Sequence, residues 1–238
     1  MDKITLAKFL VPKNKTDLVR FGSKFDGGYL LNEIDLTKSD TLISLGIHEN
    51  WDFEKEIYEK YDLKKIILFD PETSYFLILQ YLIKSILKCN FKKISNYIIK
   101  FKELQNLKSK SIFFKKKFNK KLLTNLLKSQ NIILKVDIEG DEYLNLEFIL
   151  ENQNKINCLV IEFHDLDENY EKIKNFISKF KLKLVHTHIN TFSREGEVAV
   201  ELTFSKNALA DREKWDQYSL AKIDHPNHPS HQNIQIIE

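Results

Sequence analysis

The chain contains little glycine, proline or cysteine and no long hydrophobic run. Its 238 residues include 6 Gly, 4 Pro and 2 Cys. Two cysteines, one in a basic stretch (Cys89) and one in an apolar stretch (Cys158), exclude a disulfide framework and indicate reduced thiols. The most apolar run, Tyr75–Leu87, includes Gln80 and Lys84 and is too short to span a bilayer. With no signal-like N-terminus, we expect a cytoplasmic protein without a membrane span.

The basic residues are almost all lysine, and they are unevenly distributed. The formal net charge is +3, and residues 84–121 hold many lysines and few acids. Clustered cations can bind phosphates, but arginine, which phosphate sites favour, occurs only at Arg20, Arg194 and Arg212. We therefore expect no nucleic-acid partner.

Short apolar runs that end at polar or glycine residues predict six strands. Helical periodicity follows most of them, in residues 53–61, 74–88, 143–150 and 170–180. This alternation indicates an α/β fold with a mostly parallel sheet covered on both faces, and the last two strands, lacking a helix between them, predict a terminal antiparallel hairpin. The predicted strands are Thr41–Leu45, Ile66–Phe69, Ile132–Val136, Leu159–Phe163, Leu182–His188 and Val198–Phe204.

Residues 89–130 fit this alternation least well, since their periodicity is helical and lysine-rich with only a weak strand at 110–114. We interpret them as a helical insert within a single domain that spans residues 1–238. No internal repeat and no Pro- or Ser-rich linker divides the chain.

Glycine and aspartate mark the ends of the first two predicted strands. Gly46 ends the first strand and Asp70 ends the second. In Rossmann-like folds, an acid at the second position binds the ribose hydroxyls of an adenosine cofactor. Asp70 can also cap the next helix, with Pro71 at its first position, which would leave one carboxylate oxygen for a ribose. A single glycine provides no pyrophosphate cradle, so an adenosine cofactor without phosphates, such as S-adenosylmethionine, fits better.

Acids and histidines follow three further strands. The stretch ILKVDIEGDEYLNL delivers Asp137 and Glu139, with Gly140 behind them, and IEFHD delivers Glu162 and His164. The next strand carries His186 and His188, in HTHIN. Mixed carboxylate and imidazole ligands suit a divalent metal such as Mn²⁺, Fe²⁺ or Zn²⁺, and more oxygen-rich subsets of them suit Mg²⁺. Such a metal would lower the pKa of a substrate hydroxyl, and a remaining carboxylate or histidine would accept its proton.

These segments in this order resemble the FkbM-like S-adenosylmethionine-dependent methyltransferases, in particular the branch found in bacterial capsule and surface-glycan gene clusters. The resemblance covers about residues 20–205, and DIEG with the downstream acid and histidine strand is its most specific part. The matching segments are RFGSKFDGGYLL, SLGIHENWDFE, ILFDPE, LKVDIEGDEYLNL, LVIEFHDL, HTHIN and ELTF.

The resemblance implies a Rossmann-like methyltransferase fold and O-methylation of a hydroxyl on a small-molecule sugar or nucleotide-linked sugar in capsule polysaccharide biosynthesis. It implies that S-adenosylmethionine is the cofactor and that Asp137 also borders it. The oligomeric state stays open, with a homodimer as one alternative. The other implied cofactor residues are Gly46, Glu49 and Asp70, with Asp26, Gly27, Gly28 and Tyr29 closing over the pocket.

The implied metal ligands are Asp137 and Glu162, completed by His164 or His188. Glu139 resembles the general base, and His164 joins it and Asp137 as a catalytic candidate. Histidines stand here where the relatives have carboxylates, so the metal and its ligands stay open.

Two other functions fit parts of this pattern. A metal-dependent hydrolase would use the acid and histidine cluster without an adenosine ligand. An RNA-binding module would use the lysine-rich insert, and it would leave the acids at the strand ends unexplained.

Overall fold

The computed structural model describes residues 3–5, 7–118, 120, 124, 130–192, 198–211, 222–226 and 235–237. Its centre is a seven-stranded sheet in the order β10-β11-β9-β8-β5-β6-β7. The strands of the described chain are β1 Lys3–Thr5, β2 Asn14–Lys15, β3 Leu18–Gly22, β4 Gly28–Asn32, β5 Thr41–Leu45, β6 Lys65–Phe69, β7 Ile112–Phe114, β8 Ile132–Val136, β9 Ile156–Phe163, β10 Lys183–Phe192, β11 Val198–Ser205, β12 Ala210–Asp211 and β13 Gln235–Ile237.

Six α-helices connect or flank these strands in the described residues, together with short 3₁₀ turns at Lys8–Leu10, Asp141–Leu144 and Gln153–Lys155. The helices are α1 Glu33–Thr37, α2 Asp52–Lys60, α3 Tyr75–Leu87, α4 Phe91–Lys110, α5 Leu146–Asn152 and α6 Leu166–Lys179.

The predicted fold class, a Rossmann-like α/β sheet, is confirmed. Strands β7, β6, β5, β8 and β9 are parallel neighbours, while β11 runs antiparallel between β9 and β10. From β5 the chain builds the sheet in one direction through β6 and β7, then returns to add β8 on the other side of β5. This reversal creates a crevice beyond the carboxyl ends of β5 and β8, where open α/β sheets bind ligands.

Apolar side chains cover both faces of the sheet because every residue of β5, β8 and β9 is buried. One core cluster, which includes Phe163 and Phe176, lies under α5 and α6. The other, which includes Phe53 and Leu104, lies under α2 and α4. The continuous apolar strands predicted from the sequence follow from this two-sided burial.

The antiparallel pair β3–β4 was not predicted. Its turn holds Asp26 and Gly27, and all five residues of β4 are buried. Strand β4 is only five residues long and begins at Gly28. A short run that starts with glycine gives a weak strand signal in the sequence. This hairpin carries Tyr29 to the carboxyl ends of the parallel strands.

The lysine-rich insert contains α4 and the edge strand β7, and α3 lies beside α4. Tyr75 contacts Phe101 and Tyr81 stacks on Tyr97, so the two helices run antiparallel. Residues 119, 121–123 and 125–129 of the insert lie outside the described residues. Across the parts of the chain that the structure describes, no helix combines the length and the apolar character needed to cross a membrane.

Gly46 allows the backbone of β5 to pass directly beside the end of β8. Its φ is +82°, and an added Cβ would lie 1.7 Å from the carbonyl oxygen of Asp137. Gly140 has a similar φ of +98°, yet an added Cβ would meet nothing within 4 Å.

We predict that Gly46→Ala lowers the free energy of unfolding by about 3 kcal/mol or more, because it adds a backbone clash to the strain of a left-handed residue. Gly140→Ala, which adds the strain alone, should cost about 1 kcal/mol. Urea unfolding of both variants measures the difference, and equal losses would contradict the role given to the Asp137 carbonyl.

Candidate functional site

A cleft with a volume of about 1030 Å³ opens at the carboxyl ends of β5, β6 and β8. Its walls come from the loops that follow these strands, from the β3–β4 turn and from the end of β9. Nine of its lining residues are acidic, although the chain as a whole has a net charge of +3. They are Asp26, Glu49, Asp70, Glu72, Asp137, Glu139, Asp141, Glu162 and Asp165.

Asp70 holds the loop after β5 in place. One carboxylate oxygen accepts hydrogen bonds from the backbone N–H groups of Ile47 (2.9 Å) and His48 (2.7 Å). The other accepts from the N–H groups of Glu72 (2.7 Å) and Thr73 (2.6 Å). Burial alone would raise the pKa of Asp70, but these four donors outweigh it and lower the pKa.

The predicted spare oxygen of Asp70 is therefore not available. A carboxylate has about four lone-pair positions, and four backbone donors already use them. Asp70 borders the cleft but is 3% exposed. Its organisation of the loop is plain from the geometry, and its contact with a ribose, which stays a prediction, would require one of these backbone donors to give up or share its oxygen.

Lys135 joins three elements at the site, a role that the sequence did not predict. Its ammonium group donates to the carbonyl oxygen of Gly46 (2.7 Å) and lies 3.4 Å from Glu54 and 3.9 Å from Asp137. Burial would lower the pKa of Lys135, but the charges of Glu54 and Asp137 raise it. A lysine inside the apolar run IILKV was the available signal, since buried lysines require charged partners.

Asp137 is oriented from two sides. The hydroxyl of Tyr29 donates to its carboxylate at 2.6 Å, and its backbone N–H donates to the carbonyl oxygen of Leu45. Burial and the negative charge of Asp137 raise the pKa of Tyr29 well above its ordinary value. Tyr29 therefore keeps its proton and holds this carboxylate at the cleft wall.

Glu142 fixes the turn that presents Glu139. One oxygen of this buried carboxylate accepts from the N–H groups of Ile138 (3.1 Å) and Gly140 (3.2 Å). The same oxygen lies 3.0 Å from Nδ1 of His164. Glu142 therefore joins the end of β8 to the end of β9, and its position in DIEGDEY gave no separate signal.

His164 points its second nitrogen into the cleft. Nε2 lies 3.5 Å from Glu139 and 3.9 Å from Glu162. Burial would lower the pKa of His164, but the hydrogen bond to Glu142 and the charge of Glu162 raise it to about 9. The surrounding walls of the cleft partly remove the exposed Glu139 carboxylate from water and raise its pKa, with the charge of His164 acting in the opposite direction.

Asp137, Glu139 and His164 each place one ligand atom within 4.8 Å of the others, an arrangement that could hold a metal ion. The contact between His164 and Glu142 matches the carboxylate that commonly orients a ligating histidine. These three side chains therefore offer a divalent cation one ligand atom each, and binding would displace the proton from Nε2 of His164.

The predicted ligand set differs from this group at two positions. Glu162 borders the cleft, but its carboxylate is not part of the close group. His188 is buried and is not among the residues lining the cleft. His188 of β10 pairs with Glu201 of β11, and Glu201 pairs with Glu162 of β9. Two strand spacings therefore separate His188 from Glu162. Alternation along a strand identifies a face of the sheet but not the distance across it.

The predicted cofactor residues lie at the cleft, with one exception. Asp26, Gly27 and Tyr29 line it from the hairpin, and Glu49 lines it from the loop after β5. Gly28 lies outside the lining, where an added Cβ would meet the carbonyl oxygen of Ser23 at 1.8 Å. The absence of a side chain at Gly28 therefore allows the two strands of the β3–β4 hairpin to approach closely.

Backbone strain is concentrated at the same cleft. In the described part of the chain, four residues other than glycine have positive φ, namely His48, Cys89, Glu139 and Asp165. All except Cys89 line the cleft. Strained backbone of this kind persists where the surrounding contacts enforce it, often at functional sites.

No family model and no curated protein matches the chain. Among solved structures, it is similar to the Methanococcus jannaschii fibrillarin pre-rRNA processing protein, with 10% identity, 72% of this chain and 68% of that chain covered, and a TM-score of 0.43. An rRNA methylase from Streptococcus thermophilus shows 8% identity, coverage of 72% and 92%, and a TM-score of 0.42. M. capricolum TrmK in complex with S-adenosylhomocysteine shows 10% identity, coverage of 76% and 70%, and a TM-score of 0.42. Similarity at this level concerns the fold alone.

These structures contradict the predicted partner. The first two are named for pre-rRNA processing and for rRNA methylation, and none of the three names mentions a sugar. These names point to RNA and not to the predicted small-molecule sugar acceptor without nucleic acid. The predicted role in capsule polysaccharide biosynthesis stays a prediction, since no family model or curated protein matches the chain.

We predict that Lys135→Met lowers the free energy of unfolding by about 3–5 kcal/mol, because it leaves the buried Glu54 without its cation. Lys183→Met, at an exposed position of β10, should change it by less than about 0.5 kcal/mol. Urea unfolding measures both variants.

Adding Glu54→Gln to Lys135→Met should restore part of the loss, since the two side chains are in contact. Full additivity of the two substitutions would show that Lys135 does not act through Glu54.

Proposed function

We propose that the chain is an S-adenosylmethionine-dependent methyltransferase that transfers the methyl group to a hydroxyl oxygen. The observation that carries this proposal is the acidic cleft at the topological switch point of the sheet. Nine acids against three lysines in the wall of a cleft within a net basic chain favour a cationic ligand. The donor would supply a methyl group on a positively charged sulfur.

The adenosine end of the donor is assigned to the loops after β5 and β6. Asp70 holds the N–H groups of Ile47 and His48 inward, which leaves the outer surface of this loop for the ligand. Phe118 contacts Phe69 edge-on at 5.5 Å, and both line the cleft, so this wall suits an aromatic base. Nothing in this wall resembles the glycine-rich cradle of a pyrophosphate.

The acceptor end is assigned to Asp137, Glu139 and His164. Glu139 has a side chain that is 86% exposed and a raised pKa, so it can accept a proton from an acceptor hydroxyl. Tyr29 and Lys135 hold Asp137 beside it. A divalent cation bound by Asp137 and His164 would lower the pKa of the acceptor hydroxyl, and Glu139 would accept its proton. Positioning dominates such a reaction, because the leaving group of the donor is already good.

Calorimetric titration with S-adenosylmethionine and S-adenosylhomocysteine, each with chelator and with added Mg²⁺ or Mn²⁺, tests the proposal. We expect both to bind. The proposal would be overturned if neither compound binds under any of these conditions. Metal-dependent ester cleavage without adenosine binding would instead favour a hydrolase.

We predict that Asp70→Asn weakens binding of both adenosine ligands by about tenfold or more, because it removes charge-assisted hydrogen bonds that hold the loop. Asp137→Asn should change S-adenosylhomocysteine binding by less than about threefold and lower methyl transfer by about a hundredfold or more. Asp167→Asn, in the exposed first turn of α6, is the matched control. Equal effects of the Asp70 and Asp137 variants on ligand binding would contradict the division of the cleft.

A further inference from the structure

Helices α3 and α4 carry an unusual concentration of exposed apolar side chains. In the described part of the chain, fourteen large hydrophobic residues are exposed, and nine of them lie between positions 76 and 101. The most exposed are Phe91 (80%) and Leu87 (79%). Scattered apolar residues are ordinary on a protein surface, but a contiguous patch marks a binding surface.

The exposed residues form one stripe on each helix. On α3 they are Phe76, Leu79, Ile83, Ile86 and Leu87, which fall within about a third of the helical circumference at 100° per residue. On α4, Phe91, Ile98 and Phe101 recur with the same period, while Ile99 lies to the side of the stripe.

Both stripes face away from the body of the protein. Ile78 of α3 and Leu107 of α4 are buried in the same core cluster, as is Leu104, and Ile78 and Leu107 lie on the sides of their helices away from the stripes. The ring contacts between α3 and α4 hold the two helices side by side. The two stripes therefore lie outside the core on neighbouring helices, and we call them together the α3–α4 face.

The charge around the α3–α4 face is strongly positive. Residues 75–110 contain eight lysines and one acid, Glu103, and three of the lysines, Lys100, Lys108 and Lys110, contact the body of the protein. That acid is bound to Lys55 of α2 at 2.5 Å, on the side of the body. Lys84, Lys88 and Lys92 are exposed beside the apolar stripes.

We propose that the α3–α4 face binds the surface of an anionic lipid membrane. Apolar stripes flanked by lysines are the pattern of helices that lie flat in the interface, with aliphatic and aromatic side chains between the acyl chains and ammonium groups at the headgroups. At about 30 Å, α4 has the length to lie along the surface, and its lysines exclude it from the hydrocarbon.

The charge pattern favours this occupant over a second copy of the chain. An isologous contact would bring two lysine-rich surfaces together, and like charges across an interface are costly. Protein interfaces are also depleted in lysine. Residues 75–110 contain no arginine, whereas single-stranded RNA sites combine cations with aromatic platforms rather than Leu and Ile stripes.

Sedimentation of the full chain with vesicles tests the proposal. Phosphatidylcholine vesicles are compared with vesicles of phosphatidylcholine and phosphatidylglycerol in equal proportions, at low and high salt. We expect binding to the anionic vesicles, weakened by salt, and little binding to the neutral ones.

Two variants separate the apolar and the charged contributions. Leu87→Ser combined with Phe91→Ser should weaken binding to anionic vesicles by about tenfold or more. Leu209→Ser, at an exposed position far along the chain, should leave binding unchanged. Since these side chains are exposed, circular dichroism and thermal unfolding should match the parent chain.

Replacement of Lys84, Lys88 and Lys92 by Gln should weaken binding by about fivefold for each lysine removed. The control replaces three lysines exposed elsewhere, Lys64, Lys179 and Lys183, with Gln. Equal losses in the two triple variants would show only a general charge effect and would overturn the assignment to this face.

Three further results would also overturn the proposal. The first is no binding to anionic vesicles. The second is a dimer in analytical ultracentrifugation that the Leu87 and Phe91 variant dissolves, with no vesicle binding. The third is binding of a labelled single-stranded RNA that the Lys84, Lys88 and Lys92 variant abolishes, again without vesicle binding. None of these measurements depends on adenosine ligands or on methyl transfer.

Discussion

The buried ammonium group of Lys135 is the contact on which the site depends. It lies inside the central sheet, where an isolated charge would be strongly unfavourable. Its partners, the carbonyl oxygen of Gly46, Glu54 and Asp137, belong to three different elements. The loop after β5, the start of α2 and the end of β8 are therefore held at one point. The positions of Asp137 and of the turn at Gly46 are consequences of this arrangement.

Two carboxylates extend the same principle to the cleft walls. Asp70 and Glu142 both accept backbone N–H groups from turns that follow parallel strands. These turns would otherwise leave buried donors without partners, which is costly. The acids at the strand ends therefore divide into a group that builds the loops and a group that faces the cleft, with Glu139 in the second.

The sequence predicts the sheet well because its strands are buried on both faces, so β5 and β8 appear as unbroken apolar runs. It predicts the β3–β4 hairpin poorly because β4 is short and begins at a glycine. The gathering of Asp137, Glu139 and His164 follows from parallel strands ending at one edge, which the sequence does indicate. The position of His188 requires the strand order and register, which alternation along one strand cannot supply. The role of Lys135 depends on partners far apart in the chain.

The left-handed backbone at Glu139 sets stability against activity. A glycine there would remove a strain of about 1 kcal/mol while deleting the carboxylate that faces His164. His48 and Asp165 also line the cleft with positive φ. Directed evolution for thermal tolerance alone would therefore drift toward glycine or asparagine at these three positions. The residues that resist such drift when activity is also selected would identify which strained side chains the reaction needs.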